Sequence, residues 1–326
     1  MSGNTCASSG TATGACRELA ERRYALPVSA LYLPFIPNPQ IVHMGLQRLQ
    51  PRHWIQPCTT LPNYLHNKLS ARRRLGSAIF AAEPRSLEAQ EELAQTLLQH
   101  LRSDHSVDPH SHYFATAGRL CWQGGGGALH WPLAVTSVEP LWEASQWVAD
   151  DLCLLMPGRH GYELVAASLA APSYWKLEDK IGRPLQQIHA PVPGFQQKLA
   201  GQVARFFEHL LPEYPVWRGN WSVVDSPELL QRGGASVAGG DLYLRVERQS
   251  LRRLPQTGAV AFTIRVSINP LRDLLAVPGA VAALRDAVNA MSPEEGRYKS
   301  LAPVLPRLQA FFGDHLSAPP ASAGAE

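Results

Sequence analysis

One histidine of this sequence lies in a short apolar segment that could present it as a metal ligand. His189 follows Ile188 and precedes the four residues APVP. Proline fixes φ and removes a backbone donor, so Pro191 and Pro193 stiffen the chain just after the imidazole. An apolar setting lowers the pKa of histidine and keeps the ring neutral, which is the form that binds a metal ion or a haem iron. The alternative is a core histidine satisfied by a backbone carbonyl, and for a lone histidine this alternative is favoured.

Arginine and glutamate recur in three segments whose alternation is typical of β-strands. They are Arg218 in VWRGNWSVV, Arg245 and Glu247 in DLYLRVERQ, and Arg265 in GAVAFTIRVSI. Since side chains alternate across a strand, each segment has one apolar face and one face that carries an arginine. The polar faces contain Tyr, Thr, Ser, Asn and Gln but no lysine, which favours a lined cavity. A solvated, ion-paired face is the alternative.

These residue types suggest roles in binding a charged ligand. Arg218 and Arg245 could hold the carboxylates of a haem or of an acidic ligand, because guanidinium binds carboxylate in a bidentate way. Glu247 could receive a substrate ammonium, although a structural Arg–Glu pair is an equal alternative. The segment RQSLRRLP reads as a loop at a sheet edge, where Arg252 could meet propionates or a partner and Arg253 is solvated. The aromatic residues Tyr174 and Trp175, with Lys176, could wall a flat cofactor, or could simply belong to the core.

Composition and motifs exclude several other classes of protein. The net charge of +3 gives no argument for a nucleic-acid surface. Five cysteines without Cys-x-x-Cys spacing argue against a disulfide framework. The sequence lacks Gly-x-Ser-x-Gly and His-Glu-x-x-His, so hydrolase-elbow and zincin chemistry are not expected. No apolar run is long enough for a membrane span and the first twenty residues lack an apolar h-region, so we expect a cytoplasmic protein with no membrane partner.

Periodicity predicts an α+β domain with one curved antiparallel sheet, flanking helices and an N-terminal wrapping arm. A helix capped by Ser86 should run to about Arg102, and a four-glycine run beginning at Gly124 indicates a hairpin or loop. Prolines should break a helical region at about 279–314. Other expected segments are strands at 151–156, 162–170, 216–224, 241–249 and 258–268, a helix at 195–211, an irregular arm at 27–65, and disordered tails at 1–25 and 317–326.

Three stretches of this sequence resemble the haem-dependent oxidative N-demethylase family, alpha-subunit type. They are EDKIGRPLQQIHAPVPG, VWRGNW and LRVERQSLRRLPQTGAVAFTIR, and the resemblance extends over about 36–312. It implies a single domain at 26–316 with a PAS-like core at about 150–270 and a haem b with a histidine axial ligand. The implied reaction is monooxygenase-type oxidation of a small secondary amine by O2, which gives a primary amine and formaldehyde. Electrons would come from separate flavin and iron–sulfur reductase subunits.

The resemblance also assigns roles to particular residues. His189 would be the proximal ligand of the iron, and Arg218 and Glu247 would line the haem or the amine site. The arginines Arg245, Arg265 and Arg252 are further candidates for cofactor contacts. Two other functions remain open, namely a haem-binding PAS-like sensor and an inactive binding scaffold, although the sequence contains no visible signalling unit.

Overall fold

Two antiparallel sheets organise the computed structural model, which describes residues 18, 21–38, 40, 43–133, 137–233 and 240–316. Seven strands form the large sheet, in the order β1-β8-β9-β10-β6-β7-β2, and β3, β4 and β5 form the small one. The strands are β1 (Gln47–Arg48), β2 (Phe80–Ala82), β3 (Ser111–Thr116), β4 (Arg119–Gly124), β5 (Gly127–Pro132), β6 (Asp151–Gly158), β7 (Gly161–Ser168), β8 (Val216–Val224), β9 (Tyr243–Arg253) and β10 (Val260–Pro270).

The centre of the large sheet is built by its two longest strands. Strands β9 and β10 pair over eleven residues each, from Tyr243 opposite Pro270 to Arg253 opposite Val260. The segment RQSLRRLP was expected to be a loop at a sheet edge, and this expectation is wrong. Its residues up to Arg253 continue β9, paired with β10 as far as Arg253 and with β8 as far as Leu251, although polar and apolar side chains no longer alternate there.

The small sheet confirms the hairpin expected from the glycine run. Strands β4 and β5 meet through a turn in which Gly125 and Gly126 have φ of +56° and +79°. Such positive angles suit a tight hairpin turn and favour glycine at both positions. At Gly125 space also matters, since an added Cβ would lie 2.1 Å from the carbonyl oxygen of Thr59.

Nine α-helices within the described residues flank the sheets. They are α1 (Leu61–Leu75), α2 (Leu87–Asp104), α3 (Pro140–Ser145), α4 (Leu185–Ile188), α5 (Phe195–Lys198), α6 (Ala200–His209), α7 (Ala280–Asn289), α8 (Pro293–Tyr298) and α9 (Leu305–Leu316). The helix predicted after Ser86 is confirmed as α2, but its predicted cap is not, since the Ser86 hydroxyl donates to the carbonyl oxygen of Glu83 instead. The helix predicted at 195–211 is two short helices that are separated at Leu199. The prolines divide the C-terminal helical region into α7, α8 and α9, as expected.

Helix α1 was not predicted: its first five residues fall in the segment 27–65 that was expected to be an irregular arm, and no element was assigned to 66–75. The described residues of 27–60 are irregular apart from β1 and short 3-10 turns at Val28–Ala30 and Pro51–His53. The helix itself has a weakly amphipathic sequence that contains few large apolar residues. Leu61 and Tyr64 nevertheless pack into the core, and buried Lys68 donates to three backbone carbonyls. Tertiary contacts therefore support this helix.

Three apolar clusters hold the layers together. The first joins α2, through Leu93 and Leu97, to the small sheet at Trp122. In the second, α7 and α9 pack against the side of the large sheet that carries Trp221. The third lies on the other side, between the sheet and α4–α6, and includes Phe207. Each fully buried large apolar side chain contributes about 1.5–3 kcal/mol relative to exposure.

The two predicted tails lie mostly outside the described residues. Within the first of them, Tyr24 is buried and Arg22 forms an ion pair with Asp273 at 3.0 Å. Among the described helices, none combines the length and the apolar character that crossing a membrane would require.

Candidate functional site

A cavity of about 1040 Å³ lies between the large sheet and the segments that cover one of its faces. Its volume is at the upper end of the roughly 300–1,000 Å³ that is typical of small-molecule and cofactor sites. The apolar part of its wall includes Leu155, Leu164, Leu169, Phe262 and Ile264. The polar part includes Asn220, Ser222, Glu247, Gln249 and Lys299. The cavity can therefore accept a large flat apolar group and a small polar one.

His189 ends helix α4 and lines this cavity. Its Nδ1 donates a hydrogen bond to the carbonyl oxygen of Leu185 at 2.9 Å, and Phe195 stacks on the ring with a centroid separation of 4.9 Å. These two contacts fix the tautomer and the orientation of the ring. Burial lowers the pKa of His189, although the Leu185 carbonyl acts in the opposite direction. The ring is thus neutral at pH 7, and its Nε2 forms no hydrogen bond with any described residue.

Glu247 provides the carboxylate of the polar wall. Its Oε1 accepts from Arg245 Nε at 3.3 Å, and its Oε2 accepts from Asn220 Nδ2 at 3.1 Å and from Gln249 Nε2 at 3.0 Å. Burial alone would raise the pKa of Glu247, but the positive charges of Arg245 and Lys299 and the bond from Asn220 outweigh burial and lower it. The carboxylate is therefore ionised at neutral pH.

Lys299 contributes a buried ammonium to the same wall. Its Nζ donates to Asn220 Oδ1 at 2.6 Å and to the carbonyl oxygen of Trp221 at 2.7 Å. Burial lowers its pKa to about 8, although the charge of Glu247 acts in the opposite direction. Sequence reasoning missed this residue, since GRYKS has no strand alternation and no motif that points to a site.

The segment around Lys299 also contributes other cavity residues that were not predicted. Helix α8 begins with a capping box in which Ser292 and Glu295 bond each other's backbone N–H groups. Its residues Glu294, Arg297 and Tyr298 line the cavity with Lys299. A Ser-x-x-Glu motif followed by a charged turn was the available signal, but this motif predicts a helix start and says nothing about what the helix faces.

The aromatic segment that was predicted to wall a flat cofactor does lie at the cavity. Tyr174, Trp175 and Lys176 line the cavity on the side of the His189 segment. Tyr174 has a φ of +56°, which is rare for a residue with a side chain.

Arg218 and Arg245 lie on the cavity side of their strands without lining the cavity. Arg218 donates through Nη1 to the carbonyl oxygen of His43 at 3.0 Å, while its buried Nε has no partner among the described residues. Arg245 is fully buried, and it donates to the carbonyl oxygens of Leu229 and Ala171 as well as to Glu247. Each of its three nitrogens thus already donates to a protein group.

Arg265 and Arg252 lie on the opposite face of the sheet, so the expectation that both contact a cofactor in this cavity needs correction. Ile264 pairs with Gln249, which places the apolar face of β10 beside the polar face of β9. Arg265 consequently points away, donates to Cys58 Sγ at 2.8 Å and stacks on Tyr64 at 4.3 Å. Arg252 lies 4.7 Å from the ring centroid of Trp54.

Arg253 is a structural residue rather than a solvated one. It donates to the carbonyl oxygens of Leu210, Phe207 and Gly258, and to the hydroxyl of Tyr162 at 2.8 Å. It thereby binds the C-terminal end of α6 to the sheet.

The geometry joins a neutral imidazole with a free nitrogen to an ionised carboxylate in one cavity. In the described part of the chain, no group of three or more His, Cys, Asp and Glu side chains is placed to hold a metal ion. A haem, whose porphyrin nitrogens supply most of the iron's ligands, needs one protein ligand of the kind that His189 offers. A family model described as haem-dependent oxidative N-demethylase, alpha subunit-like, matches residues 45–308 of this chain.

Proposed function

Since this chain belongs to the haem-dependent oxidative N-demethylase alpha-subunit-like family, we propose that it binds a haem b through His189 and demethylates a small secondary amine. The observation that carries this proposal is the free Nε2 of a neutral, oriented imidazole that lines a cavity of about 1040 Å³. The central strands β7-β6-β10-β9-β8, with α4–α6 inserted between β7 and β8, support a PAS-like core.

The remaining walls of the cavity fit a porphyrin. Leu155, Phe262 and Ile264 offer an apolar surface, and Lys176, Lys180 and Arg297 offer positive charges for two carboxylates. Arg218 lies behind this wall, on the cavity side of β8, so it would contribute positive charge near Glu247 rather than a direct propionate contact. Arg245 supports Glu247 instead, because it is fully buried outside the cavity lining and each of its nitrogens donates to a protein group.

Glu247 is suited to bind the ammonium of the substrate. A carboxylate offers about four acceptor positions, and three of those on Glu247 are filled by Arg245, Asn220 and Gln249. One position is left for an N–H of a bound amine. Since Glu247 is ionised, this bond would be charge-assisted and would orient the N-methyl group within the cavity.

Haem, when bound, supplies the activation of O2 that oxidises the methyl group. The residues of this chain hold the iron at His189 Nε2, compensate the propionate charge and fix the amine at Glu247. The reaction would consume O2, two protons and two electrons, the electrons coming from separate flavin and iron–sulfur subunits, and would give a primary amine, formaldehyde and water.

The absorption spectrum of the haem-reconstituted chain tests the iron ligand. We expect His189→Ala to lose or strongly shift the Soret band, because no other imidazole is placed to replace it in the described lining of the cavity. His209→Ala is a matched control, since His209 Nδ1 also bonds the carbonyl four residues earlier but the side chain is exposed on α6. An unchanged Soret band in His189→Ala would remove His189 as the ligand.

Formaldehyde release then separates the enzyme from a sensor or an inert scaffold. The haem-loaded chain is mixed with a panel of small secondary amines, O2 and a chemical reductant. Formaldehyde that depends on both the amine and His189 supports the proposed reaction. A haem spectrum without formaldehyde favours the sensor, and the absence of haem binding favours the scaffold.

A further inference from the structure

We propose that Lys299 is a positioning residue for Glu247, which it holds through the side-chain amide of Asn220 with one carboxylate position open for the substrate amine. This inference deepens the proposed function and rests on it for the identity of the ligand. Lys299 does not need to touch the amine, because its effect passes through a hydrogen-bonded chain of three side chains.

The chain of hydrogen bonds has a fixed direction. The ammonium of Lys299 can only donate, so the atom of Asn220 that lies 2.6 Å from it is the amide oxygen. This orients the amide, and its Nδ2 then donates to Glu247 Oε2 at 3.1 Å. Without Lys299 the amide could turn and offer its oxygen to the carboxylate, which would repel it. Lys299 therefore determines which end of Asn220 faces Glu247.

Lys299 is itself held rigidly. It is 9% exposed, its second hydrogen bond goes to the carbonyl oxygen of Trp221, and its backbone N–H closes the last turn of α8 on Glu295. Both of these anchors lie on elements packed around the cavity, one on β8 and one on α8. The ammonium consequently cannot swing into the solvent as an exposed lysine does.

Charged and titratable groups from several elements lie near Glu247 and Lys299. Arg245 on β9 lies beside Glu247, and Arg218 on β8 and Tyr298 at the end of α8 also act on its surroundings. Glu295 on α8 faces Lys299. Because Arg245 remains in every variant described below, Glu247 keeps one positive neighbour, and the variants remove only the charge of Lys299 or the hydrogen bond from Asn220.

The titration of Glu247 measures this contribution without any amine or haem. The full chain is labelled with glutamate carrying ¹³C at Cδ, and the signal of Glu247 is identified by its loss in Glu247→Gln. In Lys299→Met the midpoint should move to higher pH by about one unit, at the lower end of the roughly 1–3 units that a close opposite charge contributes. Lys299→Arg should lie nearer to wild type, because it restores the charge.

Two further variants keep the test decisive. Asn220→Leu removes the relay while leaving the lysine, and it should move the midpoint in the same direction even if Lys299→Met fails to fold. Lys198→Met removes an exposed lysine of α5 and should leave the midpoint unchanged. A Glu247 midpoint that stays at the wild-type value in the folded variants would overturn the proposal.

Amine binding by calorimetry then distinguishes this inference from the proposed function. With dimethylamine as the probe, the pH below which affinity is lost should rise in Lys299→Met as the Glu247 midpoint does. If the midpoint moves but the wild-type chain binds no amine, the positioning role stands and the amine site fails. If the amine binds and the midpoint does not move, the positioning role fails and the amine site stands.

Discussion

Arg245 connects the carboxylate of the candidate site to two backbone segments behind the cavity wall. It is 0% exposed, and it contacts Glu247 and two backbone carbonyls of neighbouring segments. A buried ion pair adds little net stability over an apolar pair, but removal of one partner leaves an uncompensated charge. The pair is therefore best understood as a device that keeps an ionised carboxylate inside the cavity wall.

We expect Arg245→Met to lower the free energy of unfolding by about 3–5 kcal/mol, the usual cost of breaking a buried pair from one side. Urea unfolding of the full chain at pH 7 measures this. Arg285→Met is the matched control, because Arg285 forms an exposed ion pair with Asp286 that should contribute less than about 1 kcal/mol. The double variant Arg245→Met, Glu247→Gln should recover part of the loss. Equal costs for Arg245→Met and Arg285→Met would contradict this account.

The residues of the site differed in how well the sequence could predict them. His189 and Glu247 were predicted from segments that restrict their surroundings, an apolar segment in one case and strand alternation in the other, and both line the cavity. Lys299 was not found, since its partner Asn220 is 79 positions away in the chain. Only the fold brings α8 onto β8, and a single sequence contains no pattern that links the two.

For each strand, the sequence predicted which side chains share a face. It did not predict which faces of neighbouring strands lie on the same side of the sheet. Asn220 and Glu247 do lie on one face, as their own strands indicated. Arg265 does not join them, because the pairing of Ile264 with Gln249 turns the apolar side of β10 towards the cavity. A shift of one residue in register exchanges the two faces of a strand. The relative register of β9 and β10 therefore decided which arginines meet, and it depends on contacts that one sequence does not encode locally.

Helix α8 offers a test of how an element positions the site. Ser292→Ala removes the cap from the N-terminus of α8 and should cost about 1 kcal/mol. Because the helix has only six residues, we expect faster amide hydrogen exchange throughout 293–300, the segment that carries Lys299. Ser103→Ala in α2 is a control, since that serine is exposed and bonds the carbonyl four residues earlier. Unchanged exchange at 293–300 in Ser292→Ala would show that tertiary contacts alone hold this helix.

Buried titratable groups lie on both faces of the large sheet, and His100 is one that does not line the cavity. His100 on α2 is 3% exposed, its Nδ1 bonds Asp104 at 2.7 Å, and its Nε2 accepts from the backbone N–H of Ile55 at 3.2 Å. His105 Nε2 also lies 3.2 Å from this Nε2. A proton on His100 Nε2 would therefore face the N–H of Ile55. Burial, reinforced by His105, lowers the pKa of His100 to about 4.

This arrangement predicts a chain that loses stability in mild acid. In the unfolded chain His100 should titrate near its ordinary pKa of about 6.5, so between pH 6.5 and 4 the unfolded state binds more protons than the folded one. The free energy of unfolding must then fall as the pH falls through this window, by on the order of 3 kcal/mol for His100. Above pH 6.5 His100 is neutral in both states, so it no longer changes the free energy of unfolding as the pH rises further.

Urea unfolding at several pH values between 4 and 7.5 measures the effect, and His100→Gln isolates it. Glutamine can still accept from Ile55 but does not titrate, so the variant should show a flatter dependence than wild type across this window. Asp150 and Asp151 are buried carboxyls whose pKa values burial raises, and they titrate in both proteins, so the difference between the two curves removes them. Parallel curves for wild type and His100→Gln would contradict this account, because they would mean that His100 binds protons equally in the folded and unfolded chains.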